Sequence, residues 1–90
     1  MALKILSAPP PPPAAIVEEL RKAVLAALPD ARVEVEAGSP GHFALSVVSA
    51  AFAGLARVRQ QQKVYAAIAH LMAGDAAPVH AIDQQITKTP

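Results

Sequence analysis

Residues 32–36, Arg-Val-Glu-Val-Glu, alternate charged and β-branched side chains, and this pattern restricts the fold more than any other segment. Successive strand residues point to opposite faces of a sheet, so the pattern predicts a strand with one face on a core and one in water. Residues 37–41 follow as a turn, and residues 42–49 predict a second strand with large apolar side chains on one face. Those side chains are Phe43, Leu45 and Val47. The two strands predict a hairpin.

Helical periodicity flanks this hairpin on both sides. Residues 14–28 carry apolar side chains at helical spacing, and Pro29 follows them. After the hairpin, Ser49 is suited to cap a short helix over Ala50–Leu55, and Val58–Ala73 predicts the longest helix of the chain. The residues on or near one stripe of this longest helix are Val58, Gln61, Val64, Tyr65, Ile68, Leu71 and Met72.

The β-branched run Val79–Ile86 predicts a third strand. Because helices connect it to the second strand, a right-handed crossover and parallel pairing are favoured. The predicted fold class is therefore α+β, in the order αββααβ, with a three-stranded mixed sheet and the helices packed on one face. Parallel strands begin at the same edge of a sheet, so His42 and His80 are predicted to lie close together there.

A chain of 90 residues supports one domain, which we place at residues 14–90, behind a flexible proline-rich leader at residues 1–13. Within the leader, Pro9–Pro13 predicts an extended left-handed helix, because prolines cannot donate backbone hydrogen bonds. This run is either a ligand for a proline-binding module or a stiff spacer before the first helix. Pro13 can take the first position of that helix.

Composition argues against several classes of protein. The net charge of +1 gives no overall attraction to nucleic acid or membrane. The absence of cysteine excludes disulfides and thiolate ligands from this chain. No apolar stretch approaches the ~20 residues of a membrane-spanning helix, and the first residues lack the layout of a signal peptide, so we expect a cytoplasmic protein. An enzyme is disfavoured, since no nucleophile has a plausible base near it in sequence.

The histidines are the best candidates for chemistry. His80 stands where a core would take an apolar residue, and it is either a metal ligand or part of a solvated strand face. His42 is either a ligand or a residue that orders the preceding turn. The pair alone lacks the third and fourth ligands of a settled zinc site. Asp83 is near in sequence but alternation places it on the face opposite His80, so no partner for the second ring nitrogen is assigned. His70 is predicted at the surface, on the polar side of the long helix.

Several short motifs occur in a fixed order and resemble the BolA-like protein family over most of residues 16–90. They are His42-Phe43, Val47-Val48-Ser49, Phe52-Ala53-Gly54, Val64-Tyr65, Val79-His80-Ala81-Ile82 and Thr89-Pro90. The short turn before His42 and the segment 57–65 look most like the short-loop, IbaG-like branch associated with acid stress. The αββααβ, class II KH-like fold of the family agrees with the order of elements predicted above.

This resemblance implies a non-enzymatic adaptor that pairs with a monothiol glutaredoxin and shares a [2Fe-2S] cluster with it, in iron-sulfur trafficking or iron and stress sensing. The partner and its bound glutathione give sulfur ligands, and this chain gives imidazole. His80 matches the C-terminal histidine ligand of the family, and His42 matches the histidine of its His-Phe pair, a candidate second ligand. The isolated chain is expected to be a metal-free monomer or weak dimer.

The chain also departs from its relatives. The loop at residues 37–41 lacks the histidine or cysteine that many of them carry, and Gln60-Gln61-Gln62 replaces an Arg-His-Arg element. The segment after His80 is about one residue longer than usual, which leaves the register near Gln84 and Gln85 open.

The alternative function is that of a KH-like, DNA-binding regulator of the stress response. Arg57, Arg59 and Lys63 would contact phosphates in that case. Residues 38–41 have the form of a G-x-x-G loop, but here they join two strands, so the glycines are expected to serve the turn.

Overall fold

The computed structural model of the chain describes residues 11–90. The helices and strands, in chain order, are α1 (Pro13–Ala27), β1 (Arg32–Ala37), β2 (His42–Val48), α2 (Arg57–Ile68) and β3 (Ala81–Lys88). Short 3-10 turns lie at Ala50–Phe52 and Ala69–Leu71. The flexible leader predicted for residues 1–13 lies mostly outside the described residues, but Pro13 does occupy the first turn of α1. Within residues 11–90, no helix has the length and apolar character needed to cross a bilayer.

The sheet has the strand order β1-β2-β3. β1 and β2 pair antiparallel through the predicted hairpin, and β2 and β3 pair parallel after the crossover through α2. The predicted α+β class, the mixed three-stranded sheet and its coverage by helices are thus confirmed.

One hydrophobic core lies between the sheet and the two helices. α1 buries one face against β1 and α2, and the predicted inward face of β2 is buried. The core residues are Ile16, Leu20, Val24, Leu28, Phe43, Leu45, Val47, Phe52, Val64, Ile68, Leu71 and Val79. Burying a large aliphatic or aromatic side chain contributes about 1.5–3 kcal/mol, so this largely aliphatic set stabilises a domain that is poor in aromatic residues.

Two expectations for the second long helix are wrong. It is not the longest, since α2 has 12 residues and α1 has 15. The chain tightens after Ile68 into a 3-10 turn, in which Met72 N–H donates to Ala69 C=O. The predicted stripe is also too wide, because Val58 is 58% exposed and Tyr65 is 48% exposed. α2 buries only the narrower face that carries Val64 and Ile68.

A β-bulge interrupts the pairing of β3 with β2. Phe43 pairs with Ile82 and Ala44 pairs with Gln84, so Asp83 is the extra residue. Paired residues of a parallel ladder share a face, and the bulge therefore changes which later side chains turn inward. Thr87 is 8% exposed, whereas the neighbouring Ile86 is 39% exposed. This bulge sets the register near Gln84 and Gln85, which the sequence left open.

Polar side chains join α2 to the end of β3, in a cluster that we call the glutamine end (Gln60, Gln61 and Thr87). The Thr87 hydroxyl donates to Gln60 Oε1 at 2.7 Å, and Gln60 Nε2 donates to the carbonyls of Phe52 and Leu55. Gln61 Nε2 donates to the backbone carbonyl of Gln85 at 3.0 Å. Gln60 and Gln61 of the run Gln60-Gln61-Gln62 thus have a structural role in this chain.

A second polar cluster, formed by Ser49 and Asp30, lies at the same end of the sheet. Ser49 is fully buried, its N–H donates to Lys88 C=O, and its hydroxyl accepts from Ala51 N–H, so the predicted capping role is confirmed. The Asp30 carboxylate accepts from Ala50 N–H and from the Ser49 hydroxyl, both at 2.8 Å. These bonds, led by the one from Ala50, favour the charged carboxylate and lower the pKa of Asp30 below its ordinary value.

Candidate metal-binding site

The starts of β2 and β3 lie side by side and carry two histidines. His42 is the first residue of β2 and pairs with Ala81, the first residue of β3. β3 was expected to begin at Val79, but pairing starts at Ala81, so His80 lies just before the strand rather than in it. Val79 is buried and anchors this approach by donating its N–H to Leu71 C=O at 3.2 Å. The structure therefore brings both histidines to one edge, as the parallel pairing predicted.

Gly41 fixes the position of His80. Its carbonyl accepts from His80 N–H at 2.8 Å and from Ala81 N–H at 3.1 Å. Its φ is +81°, a left-handed conformation that favours glycine. A Cβ atom at this position would lie only 2.8 Å from Cγ of His80. The imidazole thus rests directly on the glycine backbone, and the turn before β2 helps to place the ring that precedes β3.

His42 has a side-chain partner that sequence reasoning did not find. Nδ1 of His42 lies 2.9 Å from Oδ1 of Asp83, and the two side chains are 40% and 58% exposed. The bulge leaves Asp83 between Ile82, which pairs with Phe43 on the core side, and Gln84. The available signal in the sequence was the open register near Gln84 and Gln85, which does not say which residue bulges.

We call His42, His80 and Asp83, with the Gly41 backbone beneath them, the histidine edge. His80 is exposed, and no side-chain hydrogen bond from residues 11–90 engages its ring. Across the same described residues, no group of three or more His, Asp or Glu side chains is arranged to hold a metal ion. The described residues therefore offer two histidines at this edge, fewer than the four ligands of a settled metal site.

The basic residues singled out for nucleic acid lie elsewhere. Arg57, Arg59 and Lys63 are exposed on α2, and Arg57 shares with Lys88 a groove of about 500 Å³ beside the glutamine end. No acidic residue occurs from Ala50 to Gly74, so the charged side chains of α2 are all positive. The groove lies at the far end of β3 from the histidine edge. His70 is exposed in the second 3-10 turn, as its surface assignment predicted.

Comparisons with known proteins agree with this architecture. The sequence model of the BolA-like protein family matches residues 20–90. No curated protein sequence matches the chain at a significant level. Among solved structures, the chain is similar to the BolA domain of SufE1 from Arabidopsis thaliana, with 26% identity and a TM-score of 0.69 over 84% of this chain and 93% of that one.

Two further structures show the same fold. A bolA protein homologue from Coxiella burnetii is 27% identical, with a TM-score of 0.66 over 81% of this chain and 88% of that one. BolA1 from Arabidopsis thaliana is 22% identical, with a TM-score of 0.68 over 82% of this chain and 90% of that one.

Proposed function

This chain belongs to the BolA-like protein family, and we propose that it is a non-enzymatic cytoplasmic adaptor that binds a [2Fe-2S] cluster jointly with a monothiol glutaredoxin. In this proposal His80 and His42 are the ligands from this chain. A cysteine of the glutaredoxin and the thiol of its bound glutathione are the others. The adaptor would then pass on or sense the cluster.

The observation that carries the proposal is the position of His42 and His80 at the starts of neighbouring strands, where two histidines alone are too few ligands for a metal site. Neutral imidazole is a good ligand for iron. In Rieske centres two histidines replace two cysteines on one iron of a [2Fe-2S] cluster, so a donor set of two imidazoles fits half of such a cluster. The His80 ring is exposed and the His42 side chain is 40% exposed, so a second protein can reach both. The absence of cysteine means that sulfur ligands must come from that second protein.

Imidazole ligation has a chemical consequence for the bound cluster. Replacing thiolates by neutral histidines removes negative charge, which raises the reduction potential and makes ligation sensitive to acid. Such a cluster is easier to reduce and to release than one held by four thiolates, as suits a transfer or sensing protein.

The test is reconstitution of the mixed complex. The chain is mixed anaerobically with a monothiol glutaredoxin, glutathione, ferrous iron and sulfide, and its visible circular dichroism is compared with that of His80→Ala and His42→Ala. His70→Ala is the matched control, because it removes an exposed histidine away from the edge. We expect His80→Ala to change the spectrum and to speed cluster loss, and His70→Ala to have no effect. An unchanged complex with His80→Ala would contradict the ligand assignment.

The basic surface of α2 favours nucleic-acid binding as a second candidate function. Arg57, Arg59 and Lys63 lie in a stretch without acidic residues, and about three phosphate contacts would give a slope near −3 in log K against log salt concentration. The variant with all three changed to alanine should lose duplex DNA binding, whereas Lys22→Ala on α1 should retain it. No binding by the wild-type chain at low salt would remove this candidate.

A further inference from the structure

The contact between His42 and Asp83 determines which nitrogen of His42 can bind a metal. An ionised carboxylate only accepts hydrogen bonds, so Nδ1 of His42, 2.9 Å from Oδ1 of Asp83, carries the proton. In the neutral ring the lone pair then belongs to Nε2. Metal-ligating histidines commonly donate their other N–H to a carboxylate, which holds the ring and raises its basicity.

Resting on the proposed function, we propose that Asp83 is the positioning residue for His42 and that the β-bulge of β3 is what brings its carboxylate there. The bulge adds Asp83 to the strand without a pairing partner of its own, while Ala81 and Gln84 remain opposite His42 and Ala44. The chain lacks a ligating residue in the turn at residues 37–41, and Asp83 makes His42 the competent second ligand instead.

This role has a readout that needs no metal. Nitrogen NMR of the wild-type chain at alkaline pH, where imidazole is neutral, should show His42 with its proton on Nδ1. Asp83→Ala should move the proton to Nε2, and Asp83→Asn, which keeps an accepting oxygen, should hold it on Nδ1. Asp75→Ala is the control for loss of an exposed carboxylate and should leave His42 unchanged.

Deletion of Asp83 separates positioning from folding. Ile82 and Gln84 already occupy successive positions opposite Phe43 and Ala44, so removal of the bulged residue leaves every other pair in register. The shortened chain should fold with an unchanged thermal midpoint or a raised one. It should nevertheless behave like Asp83→Ala in the NMR measurement.

The mixed complex supplies the second readout. Removal of an outer carboxylate that orients a histidine ligand weakens metal binding about 10- to 100-fold, so Asp83→Ala and the deletion should lose the cluster at least about 10-fold faster. If His80→Ala abolishes the cluster but Asp83→Ala leaves the rate and the His42 tautomer unchanged, the positioning role is overturned and the proposed function stands. If the wild-type chain forms no shared cluster, both fail.

Discussion

At the end of β3 the side chains of Gln60, Gln61 and Thr87 are half-buried or buried and hydrogen-bonded, whereas at its start the side chains of His80 and Asp83 are exposed. At the glutamine end, Thr87, which is 8% exposed, donates to Gln60 of α2, and Gln61 of α2 donates to the backbone carbonyl of Gln85. The histidine edge has one side-chain bond, between His42 and Asp83, and a backbone support at Gly41. The strand spans about 20 Å between these regions, at about 3.3 Å per residue.

This difference separates the groups that stabilise the fold from those available for chemistry. A buried hydrogen-bonding group that loses its partner costs about 1–3 kcal/mol, while an exposed one can turn to water. Substitutions at the glutamine end should therefore lower the stability of the fold and leave cluster binding intact. Substitutions of the side chains at the histidine edge should weaken cluster binding and leave the stability nearly unchanged.

The largest loss of stability is expected for Gln60→Ala. The change leaves the Thr87 hydroxyl and the carbonyls of Phe52 and Leu55 without this partner, which should lower the free energy of unfolding by about 2–3 kcal/mol. Urea denaturation measures this, and the exposed Gln62→Ala should shift it by no more than about 0.5 kcal/mol. The folded fraction of Gln60→Ala should still form the mixed cluster. If it does not, the glutamine end contributes to cluster binding as well as to stability, which contradicts the separation of the two regions.

Gly41→Ala should cause the next largest loss of stability, and it is the one change that should lower both stability and cluster binding. A left-handed conformation costs a residue with a Cβ about 1–2 kcal/mol, and the new atom would displace the His80 ring, whose Cγ lies 2.8 Å away. Gly38→Ala is the control, because a Cβ there meets its nearest neighbour at an ordinary 3.6 Å. Gly41→Ala should lower both the melting temperature and the yield of reconstituted cluster, and Gly38→Ala should change neither. A fully stable, cluster-forming Gly41→Ala would show that the glycine is not required.

The bulge predicts unequal effects at two adjacent residues. Thr87→Val leaves Gln60 Oε1 without its donor and should cost about 1 kcal/mol. Ile86→Thr changes an outward, 39% exposed side chain and should cost less than about 0.5 kcal/mol. Denaturation midpoints of the two variants give the comparison. A larger loss for Ile86→Thr would mean that β3 pairs without a bulge.

The smallest expected effect is a loss of stability in acid that comes from the contacts of Asp30 with Ser49 and Ala50. Bonds from Ala50 and Ser49 lower the pKa of Asp30 from its ordinary 3.8. The contribution of the ionised carboxylate to folding stability is therefore fully present above that value. The contribution is lost as the pH falls through the lowered pKa of the folded state. Asp30→Asn should therefore flatten the decline of the melting temperature on acidification, while Asp75→Asn should not. Parallel curves for wild type and Asp30→Asn would contradict this.

Local patterns in the sequence predicted most of the fold. The alternation at residues 32–36 and the helical spacing at residues 14–28 depend on neighbours in the chain, and the structure confirms both elements. The parallel edge that brings His42 and His80 together followed from the order of elements alone.

The missed features depend on contacts distant in sequence. Periodicity could not show that Ile86 faces out and Thr87 faces in, because a bulge is decided by the paired strand. It also could not show that α2 leaves Tyr65 exposed, since that depends on how far the sheet extends beneath the helix. The bond from Asp83 to His42 was missed for the same reason.

The parallel pairing of β2 with β3 has a consequence for the order of folding. His42 and Ala81 meet only after the whole intervening chain has closed into a loop, which cannot happen before His80 and Ala81 have been synthesised. A growing chain that already contains His42 therefore has no second imidazole beside it. The histidine edge therefore forms only when β3 pairs with β2, and a molecule cut before His80 cannot present it.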